Sequence, residues 1–262
     1  LTTLDHGLRD GRWCDRYENK GKRSGAFSYG TYTSPPYIMM NYKSDVFSDV
    51  YTLAHEAGHS MHTWYAQRTQ SHQNYHYPIF LAEVASTFNE ILLTEHLLRT
   101  TDDRKARAYI INRQIDDLRG TLYRQTMFAE FEKAIHAAEE AGEALTLDAF
   151  KRIYRGLLET YFGPDFTLDE ELELEGLRIP HFYGGFYVYK YATGISAAVA
   201  LAGQVLESGD ATRYLNFLRS GGSKFPIETL KEAGVDMSTP APVDAALQLF
   251  ERRVGELEDL LE

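Results

Sequence analysis

One run of the sequence restricts the possible folds more than any other. In SDVFSDVYTLAHEAGHSMHTWYAQ, residues 44–67, Val46, Val50, Leu53, Ala54, Ala57 and Met61 recur at near-helical spacing, so the run is predicted to be one long helix. Ser44 or Asp45 is expected to cap its start. His55 and His59 are four residues apart and therefore lie one turn apart on one face, with Glu56 beside the first. Two imidazoles so placed can grip one metal ion, and H-E-x-x-H is the pattern of zinc hydrolases. His62 lies close to the same face. It is seven residues from His55, about 10 Å along the helix axis, so it cannot share their ion and is read as a supporting or structural residue.

The rest of the chain is compatible with such a site and excludes several others. At 262 residues it is long enough to bury a substantial core. Hydrophobic content of 44% and charged content of 25% are those of a soluble globular protein. The net charge is −11, and the longest basic cluster is the short KGKR at 20–23. Neither nucleic acid nor an anionic membrane is expected as a partner. The single cysteine, Cys14, rules out an internal disulfide framework and predicts a reducing, cytoplasmic location. The most apolar stretch, ATGISAAVALAGQVL at 192–206, is too short and too rich in small residues to span a bilayer. No signal peptide is recognised. The chain starts at Leu1 within a loop-like stretch, and is expected to be part of something longer.

Residues 1–43 are rich in Gly, Tyr, Ser and Thr and read as loop with short strands. PYIMMNY at 36–42 is the clearest strand, and Pro35-Pro36 suits a sheet edge or strand start. Helices are predicted over about 79–99, 104–141, 147–162, 184–207, 211–219 and 240–261. Thr146 precedes an apolar helical pattern and should cap it. The acidic run DEELELE at 169–175 reads as a solvated loop or helix start. The expectation is a mainly α protein, a zincin-type multi-helix catalytic domain with a small β-sheet near the N-terminus, and residues 1–262 forming a single domain.

A catalytic zinc site needs a third protein ligand. A metzincin motif fails, because its Gly position is occupied by His62 and its last His position by Tyr65. A di-iron bundle needs two E-x-x-H pairs, and Glu56–His59 is the only one. That leaves a glutamate from a downstream helix. In FLAEVASTFNEILLTEHLL, 80–98, an apolar stripe (Phe80, Leu81, Val84, Phe88, Ile91, Leu92) is accompanied by a polar face of Glu83, Thr87, Glu90 and Thr94. Glu83 and Glu90 are two turns apart on one side, and spacing alone does not choose between them.

HEAGHSMH and EVASTFNE, together with RSGAFSYG at 23–30 and IPHFYGGFYVYKYATG at 179–194, resemble segments of the oligoendopeptidase F branch of the thimet oligopeptidase family of zinc metallopeptidases. The resemblance covers nearly the whole chain and corresponds to the catalytic C-terminal half of that architecture. It implies one zinc ion held by His55, His59 and Glu83, with Glu90 as the supporting carboxylate. The family's long helical region ahead of this part is expected to lie outside these 262 residues. Association with that N-terminal region, or with another chain, is therefore expected.

The chemistry expected is metal-assisted amide hydrolysis of oligopeptides, with Glu56 as general base. Donors for the tetrahedral oxyanion are sought between His181 and Tyr191, where the resemblance points to a His/Tyr segment. His181, Tyr187 and Tyr191 are preferred, the two tyrosines because they would share a helical face. An extended peptide is expected to add to the strand near 36–42 as a sheet edge, with glycines around 25–30 and 184–185 allowing close approach. Two alternatives remain: a zinc-dependent exopeptidase of carboxypeptidase or dipeptidase type, and a catalytically idle fragment that only binds peptides. Structural zinc sites are usually closed and cysteine-rich, and this chain has no second cysteine.

Overall fold

The computed structural model describes residues 2–262, and helices dominate from residue 47 onward. In chain order the elements are α1 (Thr2–Leu8), β1 (Cys14–Asp15), β2 (Phe27–Tyr29), β3 (Tyr37–Met39), α2 (Phe47–Thr69), α3 (Ile79–Thr100) and α4 (Arg104–Leu118). A π turn (Arg119–Tyr123) leads into α5 (Arg124–Glu140), followed by α6 (Leu147–Phe162) and a 3-10 turn (Glu170–Leu174). Then come α7 (Glu175–Arg178), a second 3-10 turn (Pro180–Gly184), α8 (Tyr189–Ser208), α9 (Thr212–Ser220), α10 (Pro226–Glu232) and α11 (Ala241–Leu261). This is the mainly α architecture with a small N-terminal sheet that the sequence predicts. Among the described residues no helix is long and apolar enough to cross a membrane.

The sheet has the order β1-β3-β2, with β1 parallel and β2 antiparallel to β3. The 36–42 strand is therefore central, not the edge the prolines suggest. Pro35 and Pro36 stop just short of the ladder, so Tyr37–Met39 keep every N–H and pair on both sides. The Ile38 N–H donates to the Trp13 carbonyl at 2.7 Å, toward β1. Ser28 is opposite Ile38 on β2. By the alternation of an antiparallel ladder, Ser28 turns its own N–H and C=O to the unpaired side. The open edge of this sheet is β2.

The chain divides into two compact units, one running to Ile115 and resuming over Gly194–Glu262, the other Asp116–Thr193. In the larger unit α2 lies directly on α3. Gly58 makes this possible: a Cβ there would fall 2.5 Å from the Ala85 carbonyl oxygen and 2.6 Å from Ser86 Cα. Phe88 of α3 stacks on Tyr214 of α9 with ring centroids 3.6 Å apart, a contact contributing about 0.5–1.5 kcal/mol beyond its burial. Buried Arg253 of α11 donates to Gln114 and Glu256, each at 2.6 Å, and to Glu95. Its charge is thereby paired rather than stranded in the core.

Gly58→Ala should destabilise the fold by about 1–3 kcal/mol, read as a lower urea midpoint with unchanged slope. The contacting atoms belong to backbone and cannot swing aside, so the helices must separate. An unchanged midpoint would mean that the α2–α3 contact is looser than described.

The smaller unit packs α5 on α6 around Met127, Phe128, Phe131, Tyr154, Leu158 and Val188. The Thr146 side chain caps α6, accepting from the Ala149 N–H at 3.2 Å. The acidic run is not a solvated face throughout. Glu173 pairs with Lys151 at 3.2 Å and Arg155 at 3.1 Å, and Glu175 accepts from Tyr154 at 2.7 Å and from Arg124 and Arg178. One face of α6 presents Lys151, Arg155 and the Tyr154 hydroxyl, and with Arg124 of α5 it draws the carboxylates inward.

Element boundaries differ from the sequence pattern where backbone chemistry overrides periodicity. Val46, not Ser44 or Asp45, is the N-cap of α2, and no side chain caps it. The predicted 104–141 helix is interrupted by the π turn, while α1 and α10 are additions. Helix α8 begins at Tyr189 rather than 184, because Gly185 (φ 58°) and Phe186 (φ 50°) are left-handed and cannot propagate a right-handed helix.

Candidate metal centre

Helix α2 presents His55 and His59 side by side, and α3 brings Glu83 across to them. The two Nε2 atoms are 3.2 Å apart, and Glu83 Oε2 is 3.4 Å from His55 Nε2 and 3.8 Å from His59 Nε2. Each residue offers one ligand atom to the same point, and all three are partly buried. Ligands at about 2.0–2.1 Å from a tetrahedral ion stand roughly 3.3–3.4 Å from one another, and this triangle would fit such an ion. Glu83 is set by its neighbours: Ser86 Oγ donates to its Oε2 at 3.2 Å, and a Cβ on Gly194 would be 3.3 Å from its Cβ.

The supporting contacts come from the same two helices. Glu90 Oε1 is 2.5 Å from His55 Nδ1, so that nitrogen donates and Nε2 is left as the acceptor. Asn89 Nδ2 donates to the Ala54 carbonyl at 3.1 Å and fixes the register of α3 on α2. Burial pulls the His55 pKa down, but the hydrogen bond and charge of Glu90, with Glu83 and Glu56 behind it, outweigh burial and leave it raised. His59 lacks such a partner, and burial together with the neighbouring His55 charge lowers it to about 3. Both effects favour an arrangement in which His59 is neutral and able to ligate.

Glu56 points differently from the three ligand candidates. It is buried, and its Oε2 has no hydrogen-bond partner. Burial above all, then the charge of Glu83, raises its pKa to about 7 against the pull of His55. The backbone N–H of Ser28 donates to its carboxylate, which places the open β2 edge beside it. His55, Glu56 and Glu90 border a cleft of about 390 Å³ with Gly25, Thr52 and Arg113.

His62 does not join the cluster. It is fully buried, lies parallel to the Tyr77 ring at 3.5 Å between centroids, and is held neutral by burial, with its pKa near 3. In the smaller unit His181, Tyr187 and Tyr191 gather into a cluster of their own. The His181 ring stacks on Tyr187 at 5.2 Å, its Nε2 is 3.5 Å from the Tyr191 hydroxyl, and the tyrosine rings are 5.7 Å apart. The expected shared helical face is not the cause, since Tyr187 lies ahead of α8. The turn before the helix brings the rings together instead. Tyr183 is largely exposed and donates to the Leu177 carbonyl.

Some participants had no clear sequence signal. Ser28 and Ser60 join their hydroxyls at 2.7 Å and tie β2 to α2, yet each is an ordinary serine in a longer motif. Asn89 sits next to Glu90 and is visible only as part of a polar helix face. Arg113 reaches the cleft from α4, far along the chain.

The sequence profile of peptidase family M3 matches residues 2–249. Oligopeptidase PepF of Bacillus subtilis is 50% identical over 260 residues, covering 98% of this chain and 38% of that protein. An oligoendopeptidase F homolog of Borreliella burgdorferi is 46% identical over 261 residues, covering 99% of this chain and 44% of its own. Among solved structures, oligoendopeptidase-F from Enterococcus faecium superposes with a TM-score of 0.74 at 43% identity, covering 82% of this chain and 39% of that one. A crystal structure from Chlamydophila abortus gives a TM-score of 0.91 at 44% identity, covering 99% and 44%. The chain thus spans about two fifths of the length of the curated relatives it matches. With a profile match over nearly its whole length and relatives this similar, the chain belongs to peptidase family M3.

Proposed function

We propose that this chain carries the catalytic site of a zinc metalloendopeptidase acting on short, unstructured oligopeptides. The observation that carries this reading is the convergence of His55 Nε2, His59 Nε2 and Glu83 Oε2 within ligand distance of one point, beside a buried and unpartnered Glu56 oxygen. When bound, zinc acidifies water and polarises a carbonyl group. The chain's own residues supply the rest. His55, His59 and Glu83 hold the ion, and Glu90 fixes the His55 ring through Nδ1. Glu56 Oε2 takes the proton of the attacking water and returns it to the leaving nitrogen. His181 N–H and the hydroxyls of Tyr187 and Tyr191 donate to the oxyanion.

Peptide binding falls to β2 rather than β3. The outward C=O of Ser28 offers an extended peptide a main-chain acceptor at this edge, its N–H being held by Glu56, and main-chain pairing favours substrates without structure of their own. The relatives' names, oligopeptidase and oligoendopeptidase, agree with internal cleavage of short peptides. The profile match runs from residue 2 to 249, and we read residues 1–262 as one catalytic domain.

Peptides blocked at both ends should be cut at internal bonds by the zinc-loaded protein, and a folded protein substrate should not be cut. Cleavage confined to peptides with free termini would replace this reading with an exopeptidase of carboxypeptidase or dipeptidase type. Zinc binding without cleavage of any peptide would leave a peptide-binding scaffold.

A further inference from the structure

Residues 184–187, Gly-Gly-Phe-Tyr, form the turn that follows His181 and ends on the first of the two tyrosines. Gly185 takes φ 58° without difficulty, but Phe186 takes φ 50°. A bulky residue in the left-handed region is a true outlier and persists only where its surroundings impose it. The Phe186 side chain does not supply that force. It is 53% exposed and touches the His136 ring at 4.6 Å between centroids. The backbone does: the Phe186 N–H donates to Glu132 Oε1. Glu132 belongs to α5, beside the core residue Phe131, and is only 2% exposed. A carboxylate is an unfavourable group to bury, yet as an acceptor it makes a stronger bond than a neutral one. The next residue after this anchor is Tyr187, already seated against His181.

We infer that Glu132 is a positioning residue for the oxyanion donors, holding the left-handed Phe186 turn that sets Tyr187 and Tyr191 against His181. The inference rests on the oxyanion role proposed above for these three residues. Glu132 touches no reacting atom. Its effect passes through one backbone hydrogen bond to the placement of a hydroxyl, and a misplacement of an ångström at such a group is enough to slow a reaction about a hundredfold.

The test uses the zinc-loaded full chain with Glu132→Ala, Glu132→Met (volume kept, oxygen lost) and Glu132→Gln (oxygen kept). Zinc content, thermal unfolding, kcat, KM and amide hydrogen exchange over 184–188 are measured for each. Ala and Met should lower kcat by roughly 10–100-fold with KM within about threefold and zinc retained. Exchange at the Phe186 amide should accelerate in both. Gln should restore kcat to within about threefold of wild type and keep the amide protected. The direct donors are the controls: His181→Ala, Tyr187→Phe and Tyr191→Phe should each lose on the order of 10²–10³ in kcat. Adding Glu132→Met to Tyr187→Phe should cost less than it does alone, since both act on one group.

Slow tyrosine variants with wild-type kcat in Glu132→Met would overturn the positioning role and leave the oxyanion reading standing. Wild-type kcat in all three donor variants would overturn the oxyanion reading and this inference with it. A Gln variant as slow as Met, or a kcat loss explained by lost zinc or a lower unfolding temperature, would also overturn it. If Ala does not fold, Met and Gln decide the question.

Discussion

Glu56→Gln is expected to keep its zinc and lose peptide hydrolysis, by on the order of 10²–10⁴-fold in kcat. The candidate ligand atoms sit on His55, His59 and Glu83, and Glu56 is not among them, so metal affinity should be preserved. Glutamine matches the shape of Glu56 and can still accept the Ser28 N–H, but its amide cannot take a proton from water at neutral pH. The buried Oε2 with no partner is the atom the mechanism needs, and it becomes part of a neutral amide. Steady-state kinetics together with zinc analysis of the same preparation check this. Metal loss in the variant, or turnover close to wild type, would show that Glu56 is a ligand or a bystander.

Glu83→Gln and Glu90→Gln should separate ligation from support. Glu83 Oε2 stands 3.4 Å and 3.8 Å from the two Nε2 atoms, whereas Glu90 meets the far side of the His55 ring, at Nδ1. Removing the Glu83 charge takes away one of the three proposed ligands, and the variant should emerge from dialysis essentially free of zinc and inactive. Removing the Glu90 charge loosens the orientation of one ligand, which typically weakens metal affinity 10–100-fold. That variant should still fill at excess zinc, with activity returning as it fills. A chelator competition series on the three proteins reads both affinities. If only Glu90→Gln empties the site, the ligand assignment is wrong.

The two carboxylates also show where sequence reading reaches its end. Glu83 and Glu90 share a helix face by arithmetic, seven residues being two turns. Either of them satisfies the requirement for a downstream glutamate, and the family resemblance, not the spacing, is what separates them at that level. In space the choice follows from how closely α3 lies on α2, and that depends on Gly58 meeting the Ala85 carbonyl across the helix pair. The strand is a second instance. Two prolines beside an apolar run read as an edge, yet the edge is decided by which strands flank Ile38, and one of them is β1, whose Cys14 pairs with Ile38 while the Trp13 carbonyl accepts its N–H, in a chain segment with little strand character of its own.

What the sequence determined by itself is local. The i, i+4 histidines on a helical apolar pattern, the capping Thr146 and the helix-dominated chain after residue 47 follow from periodicity and backbone chemistry, which act over a few residues. Only the tertiary structure decided how those pieces meet. It placed β3 at the centre of its sheet and β2 at the open edge, and it drew Glu173 and Glu175 from an acidic run into ion pairs. It also delayed the start of α8 to Tyr189, because a buried carboxylate on α5 holds Phe186 in a backbone conformation that no helical pattern can announce. Long-range contacts of this kind form between residues far apart in the chain, and neither partner's neighbours carry a trace of the other.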